Sequence, residues 1–457
     1  MILLQGGAVV STRGAHKADV LIDGEKVTAV GRDLTAPEGA EVVDCTGKLL
    51  FPGFIDAHTH FDLDVCNTTT IDDFQSGTRS AIRGGTTTVI DFACPNKGES
   101  LQYGLEQWHK KADGKSSCDY GFHMTIDDWN RTIFNEIDEM FDEGITSFKM
   151  YMTYPAMMIG DEAMYFALKR LKELGGICGV HCENSGVINA LQGEKKAKGE
   201  NFVRCHPETR PDYLEAEAVS RLLRIAQAVD IPVVIVHLTN AAALREVEHA
   251  RLRGQKVYVE TCPQYLVLDD KVYYQSDWVE AAKYVCSPPI RKKSDQRALW
   301  RGLRLGEIQT ISTDHCSFTT AQKLAGKGDF TTIPGGAPGV ETRGELIYSY
   351  GVAKRKISLG TMCRVLCENP AKLYGLYPRK GIIAPEADAD IVVYDPKANH
   401  VLHASEMASQ CDYTPYEGMK TVGSIARVYL RGQLAVEQGE ILIGPEGQYL
   451  HREKCML

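Results

Sequence analysis

The sequence predicts an α/β fold: a (β/α)8 TIM barrel with a smaller β-sandwich domain formed by the N- and C-terminal segments. Eight apolar, β-branched runs recur through the middle of the chain with helix-patterned stretches between most of them, the signature of a parallel sheet. Eight such strands close a barrel. Both ends of the chain are instead rich in short strands, and chain ends often lie close enough to share a domain.

In order, residues 1–50 hold Val20-Leu21-Ile22, Lys26–Val30 and Glu41-Val42-Val43, with Asp23-Gly24 as the turn between the first two. Residues 51–375 are assigned to the barrel, whose first strand is read as Leu50–Ala57. Further strands are Thr86–Phe92, Asp119–Thr125, Ile145–Tyr151, Gly176–His181, Pro232–Leu238, Val257–Thr261 and Ile308–Thr313. Ala156–Leu174 and Tyr213–Val229 carry helical patterns between them. Residues 376–440 return to strands, at Ala389–Tyr394 and Ala426–Leu430. The polar tail, 441–457, is expected to be loose or docked on a partner subunit.

Composition narrows the function. The chain has 457 residues, 44% hydrophobic and 24% charged, as in soluble globular proteins. No apolar run is long enough to span a membrane, and the N-terminus lacks the pattern of a signal peptide, so a cytoplasmic protein is expected. A net charge of −9 without a basic stripe argues against nucleic acid as partner. The 14 cysteines are scattered and read as buried thiols. The pairs Cys178/Cys182 and Cys363/Cys367 each lack the second pair that a closed zinc site needs.

Active sites of this barrel lie at the C-terminal ends of its strands. His58 and His60 close the first strand, and residues two apart point the same way, so both imidazoles suit one metal ion. Lys149 sits within the strand Phe148-Lys149-Met150-Tyr151. A buried, unpaired ammonium is costly, and the neutral amine it favours reacts with carbon dioxide to give a carbamate. His181 and His237 end two further strands, and Asp314 follows a third. Singly, each is also explained as a core histidine, a snorkelling lysine or a turn aspartate. Together they point to a two-metal hydrolase. His123 reads as a core histidine, and His315 as pointing away from Asp314.

On these motifs the chain resembles the cyclic amidohydrolases of the dihydropyrimidinase/D-hydantoinase family. The resemblance runs over nearly the whole chain. It is carried by Pro52–His60, Asp72-Asp73-Phe74, Gly84–Thr87, Ser147-Phe148-Lys149, His181–Asn184, Glu260–Leu266, Ser287-Pro288-Pro289, Thr313–Cys316 and Asp388–Val392. It implies two divalent metal ions, zinc by preference with manganese, cobalt or nickel also suited. His58, His60 and Asp314 would hold one, and His181 and His237 the other. Lys149, as N6-carboxylysine, and a hydroxide would bridge them. Tyr154 would stabilise the oxyanion. Ser287 would bind the substrate ring through its backbone, and Asp314 would shuttle the proton. The implied reaction opens dihydropyrimidines or 5-monosubstituted hydantoins to N-carbamoyl amino acids, in a homotetramer or homodimer. One departure stands out. The family pattern Pro-Asn-Gly is Pro334-Gly335-Gly336 here, so Gly335 keeps a main-chain contact to the ring but loses an amide side chain.

The alternatives are an allantoinase, a dihydroorotase and a non-catalytic dihydropyrimidinase-like scaffold protein. Asp62 argues against a dihydroorotase, whose family pattern places an arginine there to grip a carboxylate. Substrate side chains are expected to meet loops at Phe61–Thr70, Cys94–Gly98 and Met152–Gly160, with Met152, Met157 and Met158 as an adaptable apolar wall.

Overall fold

A computed structural model describes every residue from Met1 to Leu457. Eight parallel strands pair in chain order: Phe54–Thr59, Thr86–Ala93, Asp119–Thr125, Ser147–Tyr151, Ile177–His181, Val233–Ile235, Val257–Thr261 and Thr310–Ile311. At least one helix lies in every crossover. The first three strands are buried along their full length, as strands covered on both faces must be.

The first and eighth strands share no extended ladder. They are joined by a single bridge between Thr59 and His315 and by the His60 N–H donating to the His315 carbonyl at 2.8 Å. Side chains supply the rest of the seam. Arg343, wholly buried, donates from one guanidinium nitrogen to the carbonyls of both Ile55 (2.7 Å) and Ile311 (2.8 Å). Asp56 accepts from the hydroxyl of Thr313 (2.7 Å) and from its N–H (3.1 Å). A charge-assisted pair thus replaces the missing ladder bonds.

Two predicted strands are shorter than expected. Pro232–Leu238 shrinks to Val233–Ile235 and Ile308–Thr313 to Thr310–Ile311. The backbone turns to positive φ at His237 (+38°) and at Asp314 (+53°), which breaks ladder geometry near each strand end. The first predicted strand is in fact two. Leu49–Pro52 pairs with Ala8–Ser11 and Ile391–Val401 in the small domain, and only Phe54–Thr59 enters the barrel. Gly53 marks the crossing, where a Cβ would lie 2.0 Å from the Thr87 hydroxyl oxygen.

The small domain is a sandwich built from both ends of the chain. One sheet has four strands, all within residues 2–44; the other has seven and mixes N-terminal with C-terminal strands. Between them pack Leu4, Val20 and Ile22 from one end with Ile391, Val393 and Tyr429 from the other. A buried ion cluster clasps this domain to the barrel: Lys380 Nζ lies 2.5 Å from Asp119, 3.1 Å from Asp388 and 2.7 Å from Asp390. Burying three carboxylates is tolerated because Lys380 and Arg431 are buried with them.

The tail is neither loose nor free. Gln448 and Leu450 bond to Tyr120 at the start of the third barrel strand, and Glu453 N–H donates to Gly375. Arg452 is buried beneath the barrel, donating to the Ser147 hydroxyl at 2.8 Å and to the Phe122 carbonyl. No helix is long and apolar enough to cross a membrane.

Candidate active site

A cavity of about 780 Å³ opens at the C-terminal ends of the strands. His58, His60, Lys149, His181, His237 and Asp314 all line it. Tyr154, Ser287 and Gly335 line it too, so every sequence-predicted site residue converges on one space.

Each side chain is delivered by a strand or by the first turn after one. His58 ends the first strand, and its Nε2 lies 3.2 Å from Asp314 Oδ1 and 3.5 Å from Lys149 Nζ. His60 Nε2 lies 3.3 Å from the same Asp314 oxygen. His181 and His237 face each other with ring centroids 4.5 Å apart. Donor atoms of His58, His237 and Asp314 all fall within 4.8 Å of one another. Tyr154 sits in the turn after Lys149's strand with φ +65°, a conformation costly for a bulky side chain and common at working sites. Its ring lies 5.2 Å from that of His181.

Electrostatics suits cation binding. Burial and the nearby Asp314 act in opposite senses on His60, and burial wins, bringing it down to about 4. Burial likewise lowers His181 and drives His237 well down, so these imidazoles stay neutral with lone pairs free. Asp314 moves the other way: burial would raise it, but His58, His60 and His237 hold its carboxyl well below the usual range. The Lys149 amine is wholly buried, is lowered by that burial, and has no carboxylate within ion-pair distance. Nδ1 of His60 and Nδ1 of His237 are buried without hydrogen-bond partners. Orphaned imidazole nitrogens beside an unpaired buried amine are what a site shaped for cations and a carbamate contains, and the residues present fit both.

A second ring of residues was missed in the sequence. Glu260 Oε1 accepts from His58 Nδ1 at 2.6 Å and from the His237 N–H at 3.2 Å, which turns His58 Nε2 toward the cluster. Glu183 accepts from His181 Nε2 at 2.7 Å and from Arg210 at 2.7 Å, which leaves the lone pair of that ring on Nδ1. Glu260 and Glu183 each stand inside a motif that carries the family resemblance. The usable signal was an acid at the end of an apolar strand.

Other expectations need correction. Asp62 does not line the cavity, so its charge is no argument about substrate carboxylates; Asp64 lines it instead. Of the three methionines only Met157 lines the cavity, and Met152 is packed in the barrel core. His123 is the expected core histidine, bonding Ser147 and the Ala57 carbonyl.

The sequence from 49 to 435 matches the description of the amidohydrolase family. The chain belongs to the amidohydrolase family. Similar proteins include a D-hydantoinase of Streptomyces coelicolor, 43% identical over 99% of this amidohydrolase and 98% of that protein. A D-phenylhydantoinase of Escherichia coli is 41% identical over 94% of each chain. Among solved structures, the dihydropyrimidinase of Brevibacillus agri superimposes with a TM-score of 0.97 at 42% identity, covering 99% of both chains.

Proposed function

We propose that the protein hydrolyses cyclic amides, opening 5-monosubstituted hydantoins and 5,6-dihydropyrimidines to N-carbamoyl amino acids. The convergence of four imidazoles, Lys149 and Asp314 on one strand-end cavity carries this reading. The hydantoinase and dihydropyrimidinase names of full-length relatives support the substrate class.

His58, His60 and Asp314 would hold one divalent ion, and His181 and His237 a second, zinc by preference for nitrogen and oxygen donors. Lys149, carboxylated by carbon dioxide, would give the anion shared between them. Bound there, such ions activate water and polarise a carbonyl.

The chain's own groups do the rest. The main chain at Ser287 and Gly335 holds the substrate ring. Asp314, kept ionised by the imidazoles around it, takes the proton of the attacking water and delivers it to the ring nitrogen as the C–N bond breaks. Burial keeps the Tyr154 phenol protonated, so it donates to the developing oxyanion. We assign the protein to the cytoplasm as a homotetramer or homodimer.

The test is a panel of dihydrouracil, phenylhydantoin and allantoin, with metal content and product chirality measured on the same preparation. Turnover of the first two with bound metal is expected, with a preference for the D-enantiomer. Turnover of allantoin alone makes the enzyme an allantoinase. Metal-free, inactive protein makes it a scaffold.

A further inference from the structure

Ser287 and Gly335 lie on two separate loops with no regular secondary structure of their own. Both loops end at one side chain. Lys323, on the short helix Thr320–Leu324, donates to the carbonyls of Val285 (2.8 Å), Pro334 (2.6 Å) and Gly336 (2.7 Å). The three acceptors match the three protons of an ammonium. Lys323 is wholly buried, makes no ion pair and has the Phe318 ring 5.6 Å away. The Val285 carbonyl also accepts from the Gly336 N–H at 2.9 Å, so the two loops are tied directly as well.

The carbonyls that Lys323 holds belong to the residues on either side of Gly335 and to the residue two before Ser287. Gly336 has φ +152°, and a Cβ there would lie 2.4 Å from the Cys316 carbonyl oxygen, so its glycine is required. Gly335 is different: a Cβ there would meet only the Ser287 hydroxyl, at 3.7 Å. Gly335 itself has no side chain to brace the loop. A buried ammonium is a costly way to fill space, since an apolar side chain of similar length avoids its desolvation. Its three charge-assisted bonds fix the loops instead.

We infer that Lys323 is a positioning residue for substrate: it locks the loops at 285–287 and 334–336 so that the main chain of Ser287 and Gly335 meets the ring. This rests on the proposed function. A polar cross-link of this kind acts on how the ring is held, and not on the reacting atoms.

The experiment compares wild type with Lys323→Met and Lys323→Gln, the second retaining two N–H donors. Backbone hydrogen exchange, metal content, KM and kcat are measured on each. Lys323→Met is expected to speed exchange of the N–H groups at 285–287 and 335–337 and to raise KM roughly tenfold or more, with kcat and metal content changed less. Lys323→Gln should fall between, and it carries the test if the methionine variant does not fold. Unchanged exchange in those loops overturns the inference. So does faster exchange with unmoved KM, or an equal fall in kcat with loss of metal. If wild type turns over no cyclic amide, the proposed function fails, while exchange still judges the hold of Lys323 on the loops.

Discussion

His315 Nε2 lies 3.1 Å from Asp72 Oδ2, while Nδ1 of the same ring accepts from the N–H groups of Gly339 and Val340. The imidazole therefore donates through Nε2, and Asp72 is an acceptor throughout. It also takes bonds from Ser76, Ser409 and the Gln410 N–H. One carboxylate thus joins the first barrel helix, the end of the eighth strand and a loop of the C-terminal segment.

Burial alone would raise the Asp72 pKa, but the His315, Ser409 and Gln410 bonds outweigh it and hold the carboxyl far below its usual range. A folded pKa below the unfolded one stabilises at neutral pH, and that stability is lost as pH falls below about 4. Asp72→Asn should cost on the order of 2 kcal/mol at pH 7 and flatten the acid limb of a Tm-against-pH curve. An acid limb identical to wild type would refute this role.

Glu260→Gln keeps shape but removes the charge that orients His58. Affinity for divalent metal should drop about 10–100-fold in chelator competition, with the circular dichroism unchanged. Unaltered affinity would show that His58 is aligned by packing alone.

Lys149→Ala should lose bound metal and hydrolytic activity together, and acetate or propionate should restore both. Full activity and metal content without added carboxylate would exclude a carbamate bridge. Chelation of the wild type should abolish activity, and zinc should restore it.

Met157 lines the cavity and Met158 does not. Met157→Ala should shift the ratio of kcat/KM for phenylhydantoin over dihydrouracil by roughly tenfold. Met158→Ala should leave it within about twofold of wild type. Equal effects of the two changes would mean the wall is not local to Met157.

Much of the fold was legible in the sequence. Third strand Asp119–Thr125 and seventh strand Val257–Thr261 match the structure residue for residue. The strands ending in His237 and preceding Asp314 were overextended. Past Ile235 the apolar run continues through Val236 and Leu238, although a positive φ at His237 ends the ladder, and periodicity carries no sign of φ. The six metal-ligand candidates were legible because each ends or interrupts such a run. Their supports were not. Glu260 meets His58 across 202 residues, and His315 meets Asp72 across 243.

Strand number, helix alternation and the chemical types of the site residues were settled by the chain's local order, since alternation and burial act over a few neighbours. Tertiary structure alone decided which nitrogen of His58 faces Asp314 and Lys149, how Asp56 and Arg343 seal the seam, and that Lys323 reaches three carbonyls on two loops. Such polar bonds span long stretches of chain, and each exists only once packing has excluded the water that would otherwise satisfy its partners.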